Sequence, residues 1–394
     1  MAPLPLRLGV SVYAAAVVFV LSLVDGGFFP STWPWAILAL ASAAAGLSLI
    51  FGDGRPARLE AAFVVGLAAM AGWQALSAYW APDPDRALED ALRGTVYVAA
   101  AAACLVLARA GGPRAVLVGV VSGGTATLGY GLVAHVRSGV VDPFQGKVLY
   151  QPIGYANAVG ILAAMVAILA VGVLLAHGGG PPRAALATTV CISIAALALT
   201  HSRGAWLAGL VGLTTTAVVL RARRRRSRLL WIGLVGVLVV AMLLSPLVVE
   251  PARLHAALSD RAYYWPVAWH ALDSPLRGLG SGSFAQLWAL ERPVPADAID
   301  AHSLFLEALL ELGAVGLVLV VATLSVPLVA ALRLTSVWTA GATGAYVAFL
   351  VHAAVDWDWE MPAVTVAGLG CGAVLIVAAR RCGTNLGAAQ LNER

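Results

Sequence analysis

The chain has 394 residues, of which 60% are apolar and only 11% charged, and its mean hydropathy is +0.87. A water-soluble domain gives about a quarter of its residues to charge, so the composition excludes an ordinary soluble enzyme and points to an integral membrane protein. The net charge of +5 is better assigned to the two sides of a membrane than to nucleic acid, which is not expected as a partner.

About 20 apolar residues cross the hydrocarbon layer. Runs of that size lie at 8–24, 33–51, 59–77, 92–108, 115–134, 154–176, 184–200, 204–220, 229–247, 313–332, 337–355 and 361–379. These twelve runs predict an all-α, polytopic fold, a single transmembrane domain over residues 1–394. The first run follows MAPLPLR without a small-residue cleavage site and reads as a retained helix, not a signal peptide. Four cysteines, Cys104, Cys191, Cys371 and Cys382, are too scattered for a metal site or a disulfide framework.

Charge sets the expected orientation. RARRRRSR, residues 221–228, packs six arginines between two spans; placed in the cytoplasm, it puts both termini inside and most acidic residues outside. The longest outer segment, 248–300, is rich in Trp, Tyr, Pro and Gly. It is expected to fold over the membrane surface, with Trp265, Trp269 and Trp288 at headgroup level.

Polar residues in so apolar a chain stand out. DAHSLFLEALLELGAVG, residues 300–316, opens a run too long for one span. Gly313 marks where the excess ends, which predicts an interfacial helical piece over 301–312 and then the true span. Asp300 is placed to cap that piece. His302 is either an interfacial residue or a general base, and Glu307 and Glu311 either pair with an arginine or line a wet cavity.

Upstream, THSRGAWLAG (200–209) sets Arg203 between two spans, either paired with a ligand or snorkelling to lipid phosphates. In DRAYYWPVAWHALDSPLRGLGSGSF (260–284), Arg261 and Tyr264 begin an amphipathic stretch. Gly278, Gly280 and Gly282 form either a tight loop or a nest for an anion. QGKVLYQPIGYANAVG (145–160) carries Lys147, the chain's one lysine, with Tyr155 and Asn157. HAAVDWDWEMP (352–362) contains an Asp356/Asp358 pair, more readily an acidic outer loop than a metal-binding DxD.

Taken in order, SRGAWLAGLVG, DRAYYWPVAWHALDSPLRGLGSGSF and AHSLFLEALLELGAVGLVL resemble the O-antigen ligase and polymerase family of polytopic glycosyltransferases, over about 120 residues. Ser303 stands where that family usually carries Asn, and Lys147 where it often carries Arg. The resemblance implies a GT-C-like, metal-independent enzyme without cofactors. It implies transfer of a glycan from an undecaprenyl-diphosphate donor to an acceptor hydroxyl on lipid A core or another envelope molecule, at the outer face of a bacterial inner membrane. On that reading Arg203 and Arg261 bind the diphosphate, His302 is the base of an inverting displacement, and Lys147, Asn157, Tyr264, Gly280 and Gly282 contact substrate. Polymerisation of a growing glycan uses the same chemistry. A lipid-linked glycan transporter is the rival class.

Overall fold

In lipid, each backbone amide and carbonyl must be satisfied within the chain, which leaves apolar runs of this length to form helices. The computed structural model describes residues 2–51, 56–138, 146–176, 182–221, 261–272, 274–334 and 336–392. The first eight helices are α1 (Leu4–Leu23), α2 (Trp33–Phe51), α3 (Arg58–Ser77), α4 (Pro84–Ala110), α5 (Pro113–Ser138), α6 (Ala156–Ala176), α7 (Pro182–Thr200) and α8 (Arg203–Arg221). After them come α9 (Arg261–His270), α10 (Phe284–Glu291), α11 (Leu304–Ala331), α12 (Val337–Ala353) and α13 (Pro362–Asn392). Among the described residues, ten helices are long and apolar enough to cross a membrane, and α12 is a shorter apolar helix. The chain is an all-helical, polytopic membrane protein. The predicted span at 229–247 lies outside the described residues, as do 222–228 of the arginine run and 248–260 of the long loop.

α13 is the axis of the bundle. Its stretch 362–379 is wholly buried, as suits a helix apolar on every side, and it packs against α4, α12, α11 and α5. α12 lies between α6 and α8, where small residues permit close backbone approach. A Cβ on Gly172 of α6 would come within 2.8 Å of Gly341 Cα, and one on Gly212 of α8 within 2.6 Å of the Gly344 oxygen. Between helices in lipid such packing replaces the hydrophobic drive. Glu60 of α3, 1% exposed, binds Arg109 of α4 and, at 3.2 Å, Arg380 of α13, tying three helices at one end.

At the other end α4 begins at Pro84, two turns earlier than the apolar run at 92. Asp83 accepts from the Arg86 amide at 3.1 Å and caps it. Hydropathy skips this turn because it holds Asp85, Arg86, Glu89, Asp90 and Arg93.

The segment from α9 to α10 has a small core of its own. Tyr264, Phe284 and Trp288 pack with Leu306 and Leu310 of α11. Trp288 lies inside that core: it is 1% exposed, and its Nε1 donates to the Ala296 oxygen at 2.8 Å. Trp265 is half-buried and donates to the Ala301 oxygen at 2.9 Å; Trp269 packs half-buried against the same cluster. The indoles are drawn inward because this segment must bury apolar surface to hold its shape.

α11 is broken at Gly313 (φ +66°, ψ −167°), and the glycine loop fills the break. Leu279 N donates to the Leu310 oxygen at 2.9 Å, Gly280 N to the Glu311 oxygen at 2.7 Å, and Ala314 N to the Pro275 oxygen at 2.8 Å. A Cβ at Gly313 would meet the backbone of Leu276 and Arg277 in a left-handed conformation. Gly313→Ala should destabilise the protein by about 1–3 kcal/mol, seen as a lower Tm in detergent. An unchanged Tm would mean that the break can relax.

Candidate functional site

The first turn of α11 is built around His302. Ser303 caps the helix, its Oγ accepting from Leu306 N at 3.4 Å, and Glu307 folds back to accept from Ala301 N at 2.9 Å. Asp300, expected as the cap, is instead turned inward and 3% exposed. The cause is the left-handed backbone of His302 (φ +56°), which redirects residues 300–303. His302 Nδ1 lies 3.0 Å from the Asp300 carbonyl oxygen. A carbonyl only accepts, so Nδ1 carries the proton and Nε2 is the basic nitrogen.

Facing this turn are α9 and the connection between α12 and α13. Arg261, the first residue of α9, donates through Nε to the Val355 oxygen at 2.5 Å and through Nη2 to Asp356 Oδ2 at 2.5 Å. Asp356 also accepts from Asn157 Nδ2 at 2.7 Å, from Tyr155 Oη at 2.9 Å and from Trp357 N at 2.9 Å. Trp357 lies against Tyr155, with ring centroids 4.6 Å apart, and edge-on to His302 at 6.5 Å. Tyr264, one turn along α9 from Arg261, meets the other side of the imidazole at 5.1 Å. A closed circuit of contacts thus runs Arg261, Asp356, Trp357, His302, Tyr264 and back to α9.

Burial alone would raise the Asp356 pKa, but the neighbouring His352 and Arg261 and the hydrogen bond from Tyr155 favour its ionised form and hold it below the usual carboxylate range. Asp356 stays ionised and fixes the guanidinium. The Arg261 side chain remains 19% exposed, with its other N–H donors directed away from that carboxylate.

Arg203 is exposed at the start of α8. Its neighbour Gly204 packs on Val355, whose carbonyl holds Arg261; a Cβ there would be 3.6 Å from Val355 Cγ2. The two arginines therefore flank one short segment. Lys147 is exposed in the segment before α6, which is held to the end of α7 by Leu149 N donating to the Leu199 oxygen at 2.9 Å.

Two expected contacts have other occupations. Gly282 N and Phe284 N donate to the Glu311 carboxylate at 2.8 and 2.9 Å, and Gly280 N is taken by the Glu311 carbonyl. The loop is an anion nest, yet the anion is the chain's own, which also answers the role of Glu311. Gly280 and Gly282 hold positive φ (+107° and +74°) and press on Ala81 and Arg86, so they fasten the loop to the α3–α4 turn. Asn157 gives its amide nitrogen to Asp356 and Tyr155 and positions the carboxylate. Asp358, fully buried, lies 2.8 Å from His352 Nδ1, while Asp356 is held by Arg261, Asn157 and Tyr155.

Beneath His302 lies an acidic layer. Carboxylate oxygens of Asp300, Glu307 and Glu360 come within 4.8 Å of one another, the one trio among the described residues able to share a cation. Glu360 pairs with Arg93 at 2.7 Å, and Arg93 with Asp90 at 2.8 Å. Ser281 Oγ reaches Asp90 at 2.8 Å and joins the glycine loop to this layer. Burial, and then the charge on Glu307, raise the Asp300 pKa well above the carboxylate range. Burial likewise pushes Glu360 up to about 8, against the pull of Arg93.

A carboxyl whose folded pKa is raised binds a proton that the unfolded chain releases, so its stabilising contribution is present at acid pH and is lost as pH rises through about 8. Glu360→Gln, which mimics the protonated form, should flatten the fall in Tm between about pH 4.5 and pH 8, the window between the ordinary and the raised pKa of this carboxyl. A mutant with the wild-type pH profile would show that Glu360 is not the titrating group.

Residues 187–321 match the family model described as O-Antigen ligase. Over that stretch the chain is similar to the O-antigen ligase family. No curated protein matches it. The O-antigen ligase match supports a glycan-processing function of ligase or polymerase type, with lipid-linked glycan and membrane as its setting. It takes in Arg203, Arg261, the glycine loop and His302. Asn157, Tyr155, Asp356 and Trp357 come from outside it and complete the circuit. The sequence shows their segments without linking them, and of the acidic layer it singles out Asp300 and Glu307 but not Asp90, Arg93 or Glu360. Asp90 and Arg93, three apart at a helix start, were the available signal.

Proposed function

We propose that this protein transfers a glycan from undecaprenyl diphosphate to an acceptor hydroxyl, with inversion, at the extracytoplasmic face of a bacterial inner membrane, both termini being cytoplasmic. The observation that supports this best is the circuit joining the Arg261 guanidinium and the His302 imidazole at one end of an apolar bundle. A lipid-diphosphate donor has a tail for the bilayer, a diphosphate at its boundary and a sugar in water, and this end offers cations and aromatic rings at that boundary.

Arg261 and Arg203 bind the diphosphate and offset the charge that grows as the bond from the anomeric carbon to the phosphate oxygen breaks. His302 Nε2 takes the proton of the acceptor hydroxyl while its oxygen bonds to the anomeric carbon from the opposite face. The diphosphate leaves with the bonding electrons. Lys147 adds a further cation on the approach. Guanidinium groups carry the charge that a divalent ion carries elsewhere, so transfer proceeds in chelator.

The test is purified protein given one undecaprenyl-diphosphate glycan, several acceptors (lipid A core, a glycan, another envelope polymer) and excess EDTA. A product with inverted linkage supports the reading, and its acceptor separates ligase from polymerase. Movement of the donor across a vesicle membrane without any new glycosidic bond would make the protein a transporter.

A further inference from the structure

At the end of the bundle opposite His302 the helix termini enclose a cavity of about 430 Å³. Three arginines line it: Arg7 of α1, Arg114 at the start of α5 and Arg381 of α13. Among the described residues, none of those lining it is acidic.

Two helix N-termini open on the same space. α5 begins at Pro113, and α12 begins at Val337 after Ser336, whose hydroxyl is 2.7 Å from that of Thr339. Both present the positive end of a helix dipole. Arg114 lies over the Trp338 ring, 5.4 Å from its centroid, and Arg381 is held by the carbonyls of Ala108 and Arg109 at 3.3 and 2.8 Å. Two of the three cations are thus fixed in place before any ligand arrives. Like charges around one cavity repel one another, and an anion bound there offsets that cost.

We propose that this cavity binds the phosphate headgroup of an anionic membrane phospholipid. The shared chemistry is a phosphate anion, and a lipid is favoured over free phosphate for two reasons. The cavity lies at the ends of spanning helices, where headgroups lie, and an indole lines it beside the arginines, suited to the polar–apolar boundary of a bilayer. The site is remote from the circuit around His302 and stands whether or not the chain transfers glycan.

The experiment measures Tm of the purified full chain in neutral detergent with phosphatidylglycerol, with phosphatidylcholine at equal mole fraction, or with inorganic phosphate. Phosphatidylglycerol should raise Tm by several degrees and phosphatidylcholine should not. The R7Q/R114Q double variant should lose the shift; R7Q alone, whose side chain is exposed, is the control for folding and should lose part of it. Equal shifts in wild type and variants, or equal shifts with both lipids, would overturn the proposal. A shift produced by inorganic phosphate alone would overturn the lipid assignment and give the site to the free anion.

Discussion

Arg261→Lys should lower glycan transfer by about 10²–10³-fold, the usual cost of removing one preorganised electrostatic donor. The substitution keeps the charge and loses the fork. In the wild type, Nε anchors the guanidinium on Val355 and Nη2 on Asp356, leaving the rest of the plane for a diphosphate. An ammonium is a point charge. Drawn to Asp356 it faces away from the donor, and drawn to the donor it abandons a carboxylate that is 1% exposed. Arg261→Ala should be at least as inactive and less stable, because breaking a buried pair from one side costs about 3–5 kcal/mol. Comparing the two separates the effects: the lysine variant should stay folded by Tm while transfer collapses. Wild-type transfer in either variant would remove Arg261 from the mechanism.

Asp356 shows why only part of this site could be read from the sequence. Its partners lie 95, 199 and 201 positions away, and no local pattern links them. In the sequence it stands two positions from Asp358, a pairing that reads more readily as an acidic outer loop than as a metal-binding DxD. In the fold, α6, α9 and the α12–α13 connection bring a tyrosine, an amide and a guanidinium to it, while Asp358 turns to His352. The spans were legible because a bilayer demands about 20 apolar residues, and Gly313 because a run too long for one crossing must break somewhere.

Charged turns adjoining a span were harder to read. The first two turns of α4 look like a loop by hydropathy, yet Asp90 and Arg93 are buried there, satisfied by Ser281, Glu360 and each other. The glycine loop was legible as an anion nest, and its occupant was not. Glu311 lies some 30 positions on, and only the break at Gly313 turns its carboxylate back toward Gly282 and Phe284. A motif of turn glycines indicates what backbone can do; tertiary structure decides for which group.

His302 carries the second large effect, and its backbone offers a way to separate chemistry from folding. His302→Ala should reduce transfer by about 10²–10⁴-fold if the imidazole accepts the acceptor proton. The residue also holds φ at +56°, a conformation that costs a non-glycine residue roughly 1 kcal/mol or more. His302→Gly relieves that strain and should match or exceed the Tm of His302→Ala while being equally inactive. A fold that tolerates glycine at this position but a reaction that does not would mean that the strain serves to aim the imidazole between Tyr264 and Trp357. If His302→Gly or His302→Ala transfers glycan at the wild-type rate, the imidazole is an interfacial ring, and the proton must go to another group of the circuit.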